Sequence, residues 1–168
     1  MSGSPIGSTP RAWARRWAFL ALLVVAALVA FLPSVSSDRS LLVVSIGDSV
    51  TYDADPGLRA ALEATGSVVV DTRSIGGVGL LRAGIDDYLA DALSDDPAVV
   101  VVMLGGWDLG EIVADPAAYA VRLDEVANRL TADGAHVVWL AMPPTPPGQG
   151  IEEARQTANG LFGELADR

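Results

Sequence analysis

The chain has 168 residues and a formal net charge of -10, but arginine is the only charged residue type in its first 37 residues. All 21 acidic residues follow, so the body of the protein is strongly acidic and repels phosphate backbones. We therefore expect no nucleic-acid partner. The lack of cysteine excludes disulfides, thiolate catalysis and cysteine-based metal sites.

The N-terminal part has the pattern of a membrane-targeting segment. Residues 17–32 are uncharged and apolar, and as a helix they would span about 24 Å, slightly less than a hydrocarbon core of about 30 Å. Arginines precede them, so the positive-inside rule puts the acidic body outside the cytoplasm. We expect a cytoplasmic basic N-terminus at 1–16, a transmembrane signal anchor or cleaved signal peptide at 17–32, a linker at 33–40 and one domain at 41–168. The protein is then a single-pass cell-membrane protein, or a secreted one if the leader is cleaved.

Short valine-rich runs, typical of buried parallel strands, alternate with helical patterns in the body. The predicted strands are residues 41–46, 67–71, 98–104 and 137–141. The predicted helices are residues 58–64, 80–93, 115–134 and 151–166. In the third, Asp115 suits the N-cap, Pro116 the first turn and Gly134 the C-terminal stop. Strict alternation predicts a three-layer α/β/α sandwich with a parallel sheet of flavodoxin-like topology, whose active residues lie at the carboxyl ends of the strands.

The segment IGDSVTYD, residues 46–53, directly follows the first predicted strand. Gly47 permits a tight turn, and a backbone N–H near the start of the next helix can stabilise an oxyanion. Asp48 and Ser49 are also ordinary helix caps, which is the structural alternative. The run from Gly47 to Val50 resembles the first signature block of the SGNH (GDSL) hydrolases. This resemblance implies that Ser49 is the catalytic nucleophile.

Two further blocks follow the second and third predicted strands. The run DTRSIGGVGLL resembles the second SGNH block, which implies that the N–H of Gly77, or of Gly76 in the neighbouring register, forms an oxyanion hole with that of Ser49. A purely structural glycine turn is the alternative. The run from Gly105 to Asp108 resembles the third block, Gly-x-Asn-Asp.

The third block departs from the family pattern at one position. Trp107 replaces the asparagine whose amide would complete the oxyanion hole. Its indole N–H could donate instead, but we favour an aromatic wall over the site. Asp48, Gly105 and Asp108 are the other residues expected at this wall.

The fourth SGNH block, Asp-x-x-His, which supplies the general base, has no counterpart in these 168 residues. The only histidine, His136, opens the fourth predicted strand, about 16 Å from the edge where Ser49 is expected, and we interpret it as structural. The chain is then a C-terminally truncated SGNH domain, a degenerate non-catalytic relative, or a domain that takes its histidine from a partner. Truncation is the simplest of the three.

The resemblance implies an extracytoplasmic, membrane-anchored ester hydrolase or acyl transferase that needs no metal or organic cofactor. Its expected substrate is an acyl ester, either a small molecule or an O-acylated envelope glycan. The chain as it stands is expected to be inactive without the histidine. One alternative is a non-catalytic module that binds an acyl or sugar group in the same cleft. A phosphate-binding doubly wound domain is less favoured, because no Walker-type or dinucleotide fingerprint is present.

Overall fold

The computed structural model of the protein describes residues 40–145 and 148–167. The predicted basic N-terminus, apolar segment and all of the linker except Ser40 lie outside these residues and stay predictions. Within the described ranges, no helix combines the length and the apolarity needed to cross a membrane.

The body alternates strands and helices as the sequence predicts. The strands are β1 Leu41–Gly47, β2 Val68–Thr72, β3 Val99–Met103 and β4 His136–Trp139. The helices are α1 Ser49–Glu63, α2 Ile85–Leu93, α3 Leu109–Ala114, α4 Pro116–Thr131 and α5 Glu152–Ala166, and a 3-10 turn spans Gly106–Asp108.

The four strands form one parallel sheet in the order β2-β1-β3-β4. Val44, Ile46, Val100 and Val102 face one side of the sheet and are fully buried against α2, α3, α4 and α5. Val43 and its neighbours on the other side pack against α1. Helices therefore cover both faces, which confirms the predicted α/β/α sandwich.

The two helices that flank the glycine-rich loops differ most from the prediction. The helix expected at residues 58–64 begins earlier, at Ser49, and continues through Pro56. The helix expected from Leu80 begins only at Ile85, because Leu80 is held in a turn and Gly84 has a left-handed φ of 84° at the N-cap. Helix α3 was not predicted.

Helix α4 follows its predicted signals. Asp115 caps its N-terminus by accepting a hydrogen bond from the Ala118 amide at 3.0 Å, and Pro116 occupies the first turn. Its buried face packs on the same side of the sheet as α2.

Candidate active site

Ser49 lies where β1 turns into α1. It is the first residue of the helix and is exposed, whereas Asp48 before it is 4% exposed. The Asp48 carboxylate accepts a hydrogen bond from the Val50 amide at 2.9 Å and so caps the helix. Burial raises the pKa of Asp48, although this amide bond opposes the shift. The Ser49 hydroxyl therefore sits at the positive end of a 15-residue helix.

Close packing ties the start of α1 to the end of β3. The Thr51 hydroxyl donates a hydrogen bond to the carbonyl of Met103 at 3.0 Å. A Cβ on Gly47 would lie 1.8 Å from Thr51 Oγ1 and 2.7 Å from the Met103 carbonyl oxygen. Only glycine fits at this position, which explains the first residue of the Gly-Asp-Ser block.

A buried phenol holds the end of β1 from below. Tyr88 of α2 accepts a hydrogen bond from the Gly47 amide at 2.9 Å and donates one to the Arg73 carbonyl at 2.7 Å. Burial is the main reason that the pKa of Tyr88 rises to about 12, so the phenol stays protonated at neutral pH. The sequence showed Tyr88 only as a core position of a helix, and nothing in the pattern indicated this contact.

The glycine loop, residues 74–82, connects β2 to α2 at the same edge of the sheet. Its Ile75 amide donates a hydrogen bond to the Gly47 carbonyl at 2.9 Å. Gly76 and Gly77 are exposed, and Gly77 has a φ of 84°. The two candidate oxyanion donors thus lie in a loop that is bonded to the turn bearing Ser49.

The loop after β3 completes the rim. Gly105 is buried with a φ of 130°, and Gly106 lies so close to the Ser49 turn that a Cβ on it would be 2.8 Å from Asp48 Oδ2. The Trp107 ring is 48% exposed, and its backbone carbonyl accepts a hydrogen bond from Arg82 at 2.6 Å. The structure therefore brings all three predicted blocks to one edge of the sheet.

Asp108 points away from solvent. It is fully buried and accepts hydrogen bonds from the Leu80 amide at 2.6 Å and from the Tyr119 hydroxyl at 3.2 Å. Burial raises the pKa of Asp108, and these two bonds oppose the shift. The residue connects the third block to the glycine loop from within the core.

A cleft of about 360 Å³ opens beside Ser49. Its lining is mostly apolar and comes from the turn after β1, the loop after β3, the loop after β4 and the start of α5. The lining residues are Asp48, Ser49, Val50, Met103, Leu104, Gly106, Trp107, Leu109, Met142, Pro143, Pro144, Thr145, Gln149, Ile151 and Arg155. Such a volume is within the range of small-molecule sites.

Three side chains of α5 hold the loop after β4 in place. The side-chain oxygen of Asn159 accepts a hydrogen bond from the backbone N–H of Met142 at 2.8 Å, and the side-chain NH2 of Asn159 donates one to the Met142 carbonyl at 3.0 Å. Arg155 donates to the same carbonyl at 2.9 Å and pairs with Glu152, which accepts a bond from Thr145 at 3.1 Å. The pairing with Arg155 lowers the pKa of Glu152. Residues 142–145 are thus a fixed part of the cleft wall.

The predicted site residues fall into two groups. Asp48, Ser49 and Trp107 line the cleft, whereas Asp108 lies beneath it and the glycines Gly76, Gly77 and Gly105 lie outside its lining. Sequence reasoning missed Tyr88 and the α5 side chains. Their signals, a tyrosine and polar residues at helical spacing, do not distinguish a site residue from an ordinary one.

His136 lies at the opposite end of the sheet. It pairs with Val99, which pairs with Val43, four residues before Gly47 in β1. At about 3.3 Å per residue, this separates His136 from the Ser49 edge by about 13 Å along the strands. It cannot take a proton from Ser49, because that transfer needs hydrogen-bond contact.

The sheet order, the helices on both faces and the cleft at the carboxyl edge define a domain of the SGNH type. The family model described as "Protein of unknown function (DUF459)" matches residues 42–168, and the chain belongs to this family. No curated protein sequence matches the chain.

Several solved structures share the fold. TesA is 28% identical, with 75% of this chain and 73% of that chain covered and a TM-score of 0.57. A Desulfitobacterium hafniense protein, described as a putative lipolytic protein of the G-D-S-L family, is 18% identical, with coverages of 75% and 71% and a TM-score of 0.61. A variant of Axe2, an acetyl xylan esterase from Geobacillus stearothermophilus, is 16% identical, with coverages of 76% and 72% and a TM-score of 0.59.

Proposed function

We propose that the protein is a carboxylic ester hydrolase or acyl transferase in which Ser49 is the nucleophile. The observation that carries this proposal is the position of Ser49: it is exposed at the N-terminus of α1 and lines an apolar cleft at the carboxyl edge of the sheet. Ligand sites of open α/β sheets form at this edge. An acyl group in the cleft would bring its carbonyl carbon to the Ser49 hydroxyl.

The oxyanion would be held by the backbone amides of Ser49 and Gly77, with Gly76 as the alternative to Gly77. The Ser49 amide lies at the start of α1, where N–H groups have no partner within the helix. In this proposal Trp107 is a wall of the cleft and supplies no amide donor. One oxyanion donor fewer costs about 10²-fold to 10³-fold in rate.

In this proposal the general base is supplied from outside these 168 residues. A serine hydroxyl attacks an ester efficiently only when a nearby group takes its proton. The single histidine of the chain lies at the opposite end of the sheet. We therefore propose that the chain by itself has an assembled nucleophile and oxyanion site but little activity.

The proposed location is the cell envelope, with residues 17–32 as the anchor and the domain outside the cytoplasm. The basic residues before this apolar segment and the acidic body after it support that orientation. The proposed substrates are acyl esters, including O-acylated envelope glycans. Support for the glycan comes from the shared fold with an enzyme named as an acetyl xylan esterase.

Chemical rescue tests the proposal on the chain as it exists. Imidazole, added to the full chain with p-nitrophenyl acetate, should act as the absent base and raise turnover at least about tenfold above the same mixture with the Ser49→Ala variant. The variant corrects for the ester cleavage that imidazole causes alone. Equal rates for the two proteins across all imidazole concentrations would reject Ser49 as a nucleophile.

The position of His136 also favours a second candidate, a non-catalytic binding module that holds an acyl or sugar group in the same cleft. This candidate predicts saturable binding of an O-acetylated glycan, measured by calorimetry, without any Ser49-dependent turnover. Binding that persists in the Ser49→Ala variant, together with a failed rescue, would select it over the enzyme.

A further inference from the structure

The shape of the glycine loop has to be imposed by its neighbours. A Cβ on Gly76 or on Gly77 would meet nothing within 4 Å, so no neighbour packs against these two residues on the side where a side chain would lie. Glycine also has the largest backbone freedom of all residues. If the amide of Gly77 is to face an oxyanion beside Ser49, contacts elsewhere in the loop must hold it there.

The two ends of the loop are bonded to different parts of the domain. At the first end, the Ile75 amide donates to the carbonyl of Gly47 at 2.9 Å. At the other end, the Leu80 amide donates to Asp108 at 2.6 Å, and the Leu80 carbonyl accepts a bond from Arg122 of α4 at 3.2 Å. Gly76 and Gly77 lie between these anchors.

Besides its hydrogen bond to the Leu80 amide, Asp108 packs closely against Gly79 at the end of the glycine loop near α2. A Cβ on Gly79 would lie 2.3 Å from Asp108 Oδ1 and 2.8 Å from its Cγ, so the loop backbone rests directly on the carboxyl group. Asp108 is fully buried, and Tyr119 holds its Oδ2 from the core side. Tyr119 therefore holds the carboxyl group on its core side, and the carboxyl group in turn holds the glycine loop.

A buried acid at position 108 lowers the stability of the domain more than a neutral side chain with the same packing would. Asp108 Oδ1 is buried and has no hydrogen-bond partner among the described residues. A buried carboxyl group with an unsatisfied oxygen lowers stability. In return, a charged acceptor forms hydrogen bonds roughly twice as strong as a neutral one, which suits a group that must hold a mobile backbone.

We infer that Asp108 is a positioning residue, which fixes the glycine loop through the Leu80 amide and the packed Gly79 so that the Gly76 and Gly77 amides stay at the Ser49 edge. The catalytic purpose of this placement rests on the proposed function. The placement itself is a property of the loop and is measurable without turnover.

Hydrogen exchange on the full chain, followed by mass spectrometry, tests the placement. Asp108→Ala should speed exchange in peptides that cover residues 74–82 by about tenfold or more, because the Leu80 amide loses its acceptor. Asp108→Asn keeps an acceptor oxygen and should restore part of the protection. Peptides from β3 and from α5 should keep their wild-type rates in both variants.

Tyr119→Phe is the matched control, because it removes the other bond of Asp108 and leaves the Leu80 amide bonded. It should alter exchange in residues 74–82 less than Asp108→Ala does. Unchanged exchange in these residues, or equal acceleration across the whole domain, would overturn the inference. If Asp108→Ala does not fold, Asp108→Asn, whose neutral oxygen is a weaker acceptor, should still speed exchange in residues 74–82 more than Tyr119→Phe does, and the reverse order would overturn the inference.

A kinetic arm separates this inference from the proposed function. In the imidazole-rescued reaction, Asp108→Ala should lower kcat at least about tenfold and leave KM near its wild-type value, as loss of a transition-state contact does, and Asp108→Asn should lower kcat less. A rise in KM with unchanged kcat would instead make Asp108 part of the substrate cleft and overturn the inference. If the wild type shows no Ser49-dependent turnover, the proposed function fails, and the exchange result alone decides the role of Asp108.

Discussion

Three glycines at the carboxyl edge of the sheet cannot be replaced by larger residues without a clash, because neighbouring atoms fill the space of a Cβ. Gly47 lies against Thr51, Gly79 against Asp108, and Gly106 against Asp48, and each leaves no room for a Cβ. The sequence suggested that Gly47 provides a tight turn. The structure gives a different reason, since its neighbours occupy the space that a side chain would need.

The first prediction concerns Gly79. Gly79→Ala should lower the free energy of unfolding by about 1–3 kcal/mol, because its Cβ would overlap the buried Asp108 carboxyl group. Gly160→Ala in α5 is the control: the space around Gly160 is open, so this change should be neutral or stabilise the helix by up to about 1 kcal/mol. Urea unfolding of both variants measures the difference, and equal stabilities would contradict the contact.

The second prediction concerns Tyr88. Tyr88→Phe should destabilise the domain by about 1–3 kcal/mol, because the Gly47 amide and the Arg73 carbonyl both lose their partner. Tyr52→Phe, at a position that is 66% exposed, should have little effect. Thermal unfolding monitored by circular dichroism would show whether the two substitutions differ as expected.

The third prediction is a pH dependence at Asp108. Burial raises its pKa in the folded state above the ordinary value of 3.8, so the folded protein holds this proton more tightly than the unfolded chain. The contribution of Asp108 to stability is therefore fully present below pH 3.8 and is lost as the pH rises through its folded pKa. The stability of the wild type relative to Asp108→Asn should fall from acidic to neutral pH, and a flat difference would contradict the raised pKa.

The sequence indicated Ser49 and the three blocks but not the residues beneath them. Tyr88 reads as one more apolar position of an amphipathic helix, and the partner of Asp108 is an amide 28 positions away. A hydrogen bond between distant segments depends on the folded arrangement, which no local pattern contains. This explains why Asp108 was expected at the wall of the site and was found below it.

At the scale of elements, α5 and the loop after β4 act as one unit. The fourth prediction is that Asn159→Ala frees this loop, because the Met142 amide loses its acceptor in a partly buried position. Hydrogen exchange in the segment around Met142 should accelerate. Asn128→Ala, an exposed asparagine on α4, should leave it unchanged, and similar exchange in both variants would show that Asn159 does not hold the loop.

The sequence predicted the existence and order of most elements better than their ends. Apolar spacing located β1 and α4 closely, and the Asp115 cap with Pro116 marked the start of α4 correctly. The first half of α1 carries no apolar stripe and contains Pro56, so apolar spacing alone did not show that the helix begins at Ser49. Helix α3, with only six residues, is too short for periodicity to reveal.

At the scale of the whole molecule, the parallel sheet is what brings the site together. Alternating strands and helices required the carboxyl ends of β1, β2 and β3 to share an edge, and the observed register places Gly47 beside Met103 there. The same geometry puts His136 at the other end. The fold thus places the proposed nucleophile and the proposed oxyanion loop at one edge of the sheet and the histidine at the other.

The reactivity of Ser49 tests this account most directly. The full protein, in the cells that naturally produce it and separately as the isolated chain with imidazole, is treated with a fluorophosphonate, and its peptides are mapped by mass spectrometry. We predict a phosphonyl adduct on Ser49 under both conditions and none in the Ser49→Ala variant. A Ser49 that stays unmodified under both conditions would contradict its proposed role as a nucleophile.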